Sequence, residues 1–182
     1  QGKCIIDKNI IKTSPIQIKL DQKLVSSIIK DITGVNIPLF LMFKGEASVS
    51  GKLYSPKLKL QGTLYAKTSD TIWMKVSKIN GSILLNKELI WNIVATIEKC
   101  SYEELIAPFI KDQPEELLFL LGGSINIKGK KDVFMAKVNL TTFRLSLYEK
   151  MLINQGDIII FYDGKTIKLN NFKITTGNAV VE

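Results

Sequence analysis

Lys44 to Ala66 reads KGEASVSGKLYSPKLKLQGTLYA, and the parity of its second half decides the fold. After a turn expected at Ser55-Pro56, Leu58, Leu60, Leu64 and Ala66 fall on one parity, with Lys57, Lys59, Gln61 and Thr63 on the other. A period of two gives a strand with one dry face and one wet face. Gly45 and Gly51 bracket a shorter strand before it and free the backbone for a bend or a close approach. The device recurs. Gly123-Ser-Ile-Asn-Ile-Lys-Gly129 keeps the glycine spacing, and both glycines lie 78 residues beyond their counterparts. A turn is expected next at Lys130-Lys131-Asp132, then a second alternating strand with Phe134, Ala136, Val138 and Leu140 on one face. Two copies of one β unit predict an extended, repetitive sheet.

Working outward, residues 1–20 read as β, with Cys4, Ile5 and Ile6, a break at Asp7-Lys8-Asn9, then Ile16, Ile18 and Leu20 in alternation. Asp21 has the chemistry of a helix N-cap. Leu24, Val25, Ile28, Ile29 and Ile32 follow at helical spacing, with Gly34 just past the end. Residues 37–43, IPLFLMF, lack alternation and are expected to be buried on both sides. Ile72, Met74 and Val76 alternate with Trp73 and Lys75, and Asn80-Gly81 is a hairpin signal. Ile83 and Leu85 come next, then a turn at Asn86-Lys87 and the stripe Leu89, Trp91, Ile93, Ala95 and Ile97.

Ser101 and Glu104 form a capping box opening a short helix through Leu105, Ile106 and Phe109, limited by Pro108. Asp112-Gln-Pro-Glu115 starts another helical turn running through Leu117 to Leu121. The last third is β again, with Phe143, Leu145 and Leu147, then Ile158, Ile160 and Tyr162, or alternatively Ile159 and Phe161. A hairpin turn is expected at Asp163-Gly164, before Ile167 and Leu169. Phe172 and Ile174 have the opposite parity, so a bulge or corner is expected at Asn170-Asn171.

The totals narrow the function. The 182 residues are 46% hydrophobic despite 23% charge, and the mean hydropathy is +0.14. So apolar a chain needs a face to hide against or a greasy ligand. The chain opens at Gln1 rather than Met, which predicts a processed product or an excised piece. The longest uncharged apolar run, Ile32 to Phe43, is interrupted by Gly34, Asn36 and Pro38 and falls short of a membrane-spanning helix; no signal peptide is read. The net charge of +8 raises nucleic acid as a partner, but Arg144 is the only arginine and no basic block is interleaved with aromatics. Lysines at 57, 59, 137, 165, 168 and 173 read instead as the wet face of a sheet, guarding edges, with a weaker attraction to anionic headgroups as the remainder.

Histidine is absent, which removes the commonest acid–base group and metal ligand. Cys4 and Cys100 have no ligand cluster around them and read as free or incidental thiols, although their spacing leaves a disulfide open. The pairs Glu103-Glu104 and Glu115-Glu116 sit in first turns of helices, where they favour the helix dipole. Gly122-Gly123 lacks the lysine and spacing of a phosphate loop. The expectation is a protein that is not an enzyme and carries no metal or cofactor.

What remains is the stripes, which serve either as packed core or as a channel wall. The fold expected is mostly β: one long antiparallel sheet curved into an open U with an apolar interior, plus short helices. It forms a single elongated segment over 1–182, with related units at about 16–66 and 97–147 and hairpins over 151–182. The expected groove lining is Leu58, Leu60, Leu64, Ile72, Met74, Val76, Leu89, Trp91, Ile93, Ile97, Phe134, Ala136, Val138 and Leu140. Leu145, Ile158, Ile160, Ile167, Leu169, Phe172 and Ile174 complete it.

The order from Ser101 to Leu121, Gly123 to Gly129 and Val133 to Leu140 carries a family resemblance. So do Asn154-Gln-Gly-Asp-Ile-Ile-Ile, Asp163-Gly-Lys-Thr-Ile-Lys-Leu and Phe172-Lys-Ile-Thr-Thr-Gly. It resembles the C-terminal region of the TamB family within the AsmA-like superfamily. Gly45-Glu-Ala-Ser-Val-Ser-Gly51 and Pro56-Lys-Leu-Lys-Leu-Gln-Gly62 resemble that family's recurring strand pairs, and the likeness covers residues 16–182. The resemblance implies a β-taco with a hydrophobic interior that crosses the periplasm, anchored in the inner membrane by an N-terminal helix. It implies pairing with the outer-membrane barrel TamA and roles in phospholipid transfer and the assembly of outer-membrane proteins, with no catalytic residues. By it, this chain corresponds to an interior or near-terminal piece. Two other readings stand beside it: a structural or adhesive β-sandwich without ligand, and an outer-membrane barrel, which the helices and the two tryptophans disfavour.

Overall fold

Alternating side chains make a strand stable only when its backbone groups find a ladder on each side, so the reach of each hairpin sets the sheet. A computed structural model describes residues 3–33, 40–67, 72–106, 117–131, 133–147, 150–176 and 179–181. The early elements are β1 (Cys4–Asp7), β2 (Ile10–Thr13), β3 (Ile16–Leu20), α1 (Gln22–Thr33), β4 (Leu41–Lys52), β5 (Ser55–Lys67) and β6 (Trp73–Leu84). There follow β7 (Ile90–Ser101), the single turn α2 (Glu103–Ile106), β8 (Leu118–Lys130) and β9 (Val133–Leu147). The chain ends with β10 (Lys150–Asn154), β11 (Ile158–Tyr162), β12 (Ile167–Asn170), β13 (Ile174–Thr176) and β14 (Ala179–Val181).

The protein is mostly β, one long antiparallel open sheet. Its strands run in the order β1-β2-β4-β5-β6-β7-β8-β9-β10-β13-β14, while β3 pairs with β4 and the β11–β12 hairpin pairs with β9. Contacts gather the chain into two units, 1–95 with 127–134 and 96–126 with 135–182.

In the first unit, Asp21 caps α1 as expected: its carboxylate accepts from Leu24 N at 3.1 Å. Leu41, Met42 and Phe43, three consecutive residues, are all buried, so both faces of the sheet are covered at the start of β4. The glycines at 45 and 51 do not bracket a short strand, because β4 runs through Gly45 and continues to Lys52. Gly45 pairs with Gly62 across β5. A Cβ on Gly45 would strike Gln61 O, and it would lie 2.7 Å from both Gly62 Cα and the Phe43 ring. Phe43, 4% exposed, covers the bare backbone of this pair. The 78-residue repeat is visible in the same contact, since a Cβ on Gly123 would strike Asn139 O and lie 2.9 Å from Leu140 Cα.

Further sequence expectations need correction. The turn expected at Ser55-Pro56 falls at Leu53-Tyr54, and Ser55 and Pro56 already pair with Lys52 and Gly51 in β5. Asn80-Gly81 is not a hairpin: β6 runs straight through it, Asn80 opposing Gln61 and Gly81 opposing Leu60. The β5 ladder satisfies the backbone on either side, which removes any reason to turn. The chain reverses at Asn86 instead, whose Oδ1 accepts from Glu88 N at 3.0 Å and whose carbonyl accepts from Leu89 N at 3.1 Å. The helical turn expected through Leu121 is also absent over 118–121, which belong to β8. There Glu103 Oε1 accepts from Phe119 N at 3.0 Å, and Tyr102 N donates to Phe119 O at 2.8 Å. A short apolar run reads equally as helix or strand, and these partners select the strand. Gly34, Phe109, Asp112 and Glu115 lie outside the described residues.

The second unit is centred on Tyr102, Leu105, Ile158 and Ile174, all buried. Phe119 meets Tyr102 and Phe143 edge-on, with centroids 6.4 and 6.1 Å apart. β9 pairs with β10 through 144–147 and with β11 through 136–140. The gap is bridged by Asn154, whose Oδ1 accepts from Phe143 N at 2.9 Å and whose Nδ2 donates to Thr141 O at 3.2 Å. The expected corner falls at Asn171, in the left-handed region at φ 55°, where the chain leaves β12 for β13. The Asp163-Gly164 turn also forms: Asp163 Oδ1 accepts from Lys165 N and Thr166 N, and Oδ2 accepts from Thr166 Oγ1 at 2.7 Å.

Two measurements check this account. Gly45→Ala is expected to cost about 1–3 kcal/mol in urea denaturation, because backbone must move. Gly81→Ala, whose Cβ would meet nothing nearer than Leu60 at 3.6 Å, should be tolerated. Three hydrogen bonds from Thr166 and Lys165 hold the Asp163 carboxyl down at about 2. A depressed carboxyl contributes stability above its unfolded value of about 3.9, lost as pH falls towards 2. The amide resonances of Lys165 and Thr166 should therefore shift in that window, and a midpoint near 4 would contradict the turn.

Candidate functional site

Partners in an antiparallel ladder point their side chains to the same side, so the register assigns faces without reference to any pocket. In the first unit the rows of one face are Ile16·Ala47·Leu60·Gly81, Ile18·Gly45·Gly62·Ile79 and Leu20·Phe43·Leu64·Ser77. Val49·Leu58·Ile83 and Leu41·Ala66·Met74 complete it at the two ends. The face holds no charge. Its one polar side chain, Ser77, is buried, and its hydroxyl donates to Lys78 O at 3.2 Å.

Four of the expected lining residues, Leu58, Leu60, Leu64 and Met74, thus share a face. Val76 is the extra residue of a bulge, since the register jumps from Leu64·Ser77 to Tyr65·Lys75. The bulge reverses the parity of β6. That is why Ile79 and Ile83 join a face which Ile72, Met74 and Val76 alone did not disclose. The missed residues on this face, Ile16, Ile18, Leu20, Phe43 and Val49, carry their own period-two signal, broken in β4 by Gly45. Ile72 precedes β6 and is exposed, and Leu89 sits in the Asn86 turn at φ 43°, also exposed.

Further along, a Cβ on Gly81 would meet Leu60 and the Ile93 side chain at 3.6 and 3.8 Å, which places Ile93 beside that row. Trp91 lies over Gly129, where any Cβ would collide with the indole, and its ring stands 6.3 Å from Phe134. Its Nε1 donates to Lys131 O at 3.4 Å. At this end Lys130 pairs with Glu88 at 2.7 Å and holds that carboxyl below the usual range.

The second unit gathers the remaining lining residues by rows of its own: Ala136·Tyr162·Ile167, Val138·Ile160·Leu169 and Leu140·Ile158. Leu145 opposes Leu152, and Asn154 opposes Ile174. Ile158 and Ile174 are 3% and 8% exposed, whereas Ile167 is 74% and Leu169 49%. Ile97 and Phe172 are half-buried.

The opposite face of the first unit is polar. Lys19, Lys44 and Lys78 share a row with Thr63, Lys59 stands between Ser48 and Ser82, and Lys12·Ser50·Lys57 forms another row. Lys52 opposes Ser55, Lys75 opposes Tyr65 and Lys67 opposes Trp73. Glu46 is the one carboxylate of this face across β2–β6. Gln17 Nε2 donates to its Oε1 at 2.6 Å, and Gln61 Nε2 reaches Oε2 at 3.5 Å. A shallow depression of about 360 Å³ lies there, lined by residues including Glu46, Lys59, Gln61, Asn80 and Asn92.

The apolar faces are thinly covered. Among the described residues nine apolar side chains are buried, and no large side chain is fully enclosed. Cys4 is exposed and free, while the Cys100 side chain lies outside the described residues. Among the described residues no group of three histidines, cysteines or carboxylates could hold a metal, and no helix is long and apolar enough to cross a membrane. Comparison with family models, curated proteins and solved structures returned no match.

Gly129→Ala tests the Trp91 cluster. It is expected to displace the indole, shift its emission in a Trp73→Phe background and cost about 1–3 kcal/mol. Lys128→Ala, an exposed neighbour, should leave both unchanged.

Proposed function

We propose that this chain is a non-enzymatic segment whose curved apolar face forms a groove that shields lipid acyl chains in transit. The observation that carries the reading is the row-by-row apolar face of the first unit, uncharged over the four strands β3–β6 and mostly half-buried away from its Leu41–Phe43 end. Burial is worth about 0.8 kcal/mol per methylene, so a ~16-carbon acyl chain gains about 13 kcal/mol on leaving water. A wall of Leu, Ile and Val supplies that without shaped pockets, and movement along it requires continuity more than tight binding at one point. The resemblance to TamB-like proteins supports the same reading. It adds the periplasm as the setting, an inner-membrane anchor in the full-length protein, phospholipid as the cargo and TamA as the partner. Unfolded outer-membrane strands are a further client of the same groove.

Detergent-free native mass spectrometry of the purified chain tests it. Phospholipid should co-purify, and Leu60→Arg or Val138→Asp should reduce it at least fivefold with the circular dichroism spectrum retained. Lys59→Asp, on the other face, should not. A wild-type chain free of lipid would leave a structural β domain without ligand.

A further inference from the structure

The polar face of the first unit carries more than solvation requires. A solvated sheet face mixes both signs of charge, and the whole chain has 25 basic against 17 acidic residues. Across β2–β6 this face carries nine lysines and one carboxylate, and that carboxylate is held between two glutamine amides. Lys12, Lys19, Lys44, Lys57, Lys59 and Lys78 are all exposed. Cross-strand neighbours lie about 4.8 Å apart, so Lys19 and Lys44, directly opposed, form a dense cationic row rather than isolated charges.

One end of the same face is different. Lys67 opposes Trp73, Lys67 N donates to Phe40 O at 2.9 Å, and Lys67 Nζ stands 5.9 Å from the Phe40 ring centroid. Phe40 and Trp73 are 52% and 37% exposed. Lysines beside exposed Trp and Phe are the chemistry of the membrane–water interface, where aromatic rings sit at headgroup depth and ammonium groups meet phosphate. Nucleic acid is a poorer fit: the face has no arginine to fork onto phosphate or base edges, and its aromatics, Tyr65 and Trp73 towards one end and Tyr54 at the other, form no continuous stacking platform.

We propose that this lysine face, with its Phe40–Trp73 end, docks peripherally on an anionic phospholipid surface. The apolar face is then turned away from the bilayer plane, free for its own ligand. Each lysine near such a surface contributes about fivefold in affinity, and the attraction is screened by salt.

Flotation of the whole chain with vesicles of phosphatidylcholine, with and without phosphatidylglycerol, tests the proposal. Binding should require phosphatidylglycerol, fall steeply with added salt and blue-shift Trp73 emission in a Trp91→Phe background. The triple change Lys19→Glu, Lys44→Glu and Lys59→Glu should reduce affinity more than about 100-fold; the milder Lys→Gln triple, less prone to misfold, should reduce it at least tenfold. Neither should alter lipid co-purification, and Leu60→Arg should not alter vesicle binding, so this reading and the groove fail separately. Equal binding to phosphatidylcholine alone, no binding, or insensitivity to the charge changes overturns the proposal. So does duplex DNA competing at the same charge concentration.

Discussion

Cross-strand register is the constraint on which everything else rests. Side chains alternate with a period of two, so a one-residue slip between β4 and β5 would exchange leucines for lysines across the whole first unit. The pairing of Gly45 with Gly62 opposes such a slip. The two backbones approach where neither carries a Cβ, and Phe43 lies over the gap. Any other alignment would bring a Cβ into that contact. The Val76 bulge then acts as a controlled slip. It resets β6 so that Ile79 and Ile83, rather than Lys78 and Asn80, continue the apolar rows.

The same register gives the first unit two chemically distinct surfaces. Over β3–β6 one side is uncharged; across β2–β6 the other carries nine lysines and one carboxylate, with Asp7 of β1 continuing the Ile10·Lys52 row. Among the described residues neither side holds a group of three or more cysteines or carboxylates that could bind a metal. The recognition proposed for these surfaces would work by area and field rather than by a few atoms: burial for the apolar rows, screened attraction for the lysines. In the two proposals made above, the surfaces serve one process, the first for a greasy ligand and the second for the boundary it comes from.

The repeat is more than a similarity of letters. β4 and β5 span Leu41–Lys52 and Ser55–Lys67, and β8 and β9 span Leu118–Lys130 and Val133–Leu147, close to the 78-residue offset at each bound. Gly45 and Gly123 make equivalent approaches to the next strand, at Gln61 with Gly62 and at Asn139 with Leu140. The second glycines diverge. Gly51 adopts φ 109° near the hairpin, whereas Gly129 lies beneath Trp91. One sequence device is spent on conformation in the first copy and on space in the second.

Local chemistry was enough to read the strands around Leu58–Ala66 and Phe134–Leu140, the Asp21 cap, the Asn86 and Asp163 turns and the lysine-bearing wet face. Each depends on residues near in sequence and on a period that water alone enforces. Nothing local distinguished Asn80-Gly81 as strand from Asn80-Gly81 as turn, because its fate depends on β5 satisfying its backbone from twenty residues away. The same holds for Leu118–Leu121, drawn into the sheet by Glu103 and Tyr102, and for the bulge that moves Ile79 and Ile83 to the apolar side. Sequence by itself set the alternation. Which face each alternating set joined was decided by pairing with distant strands, since hydrogen-bond partners across a sheet are chosen in three dimensions.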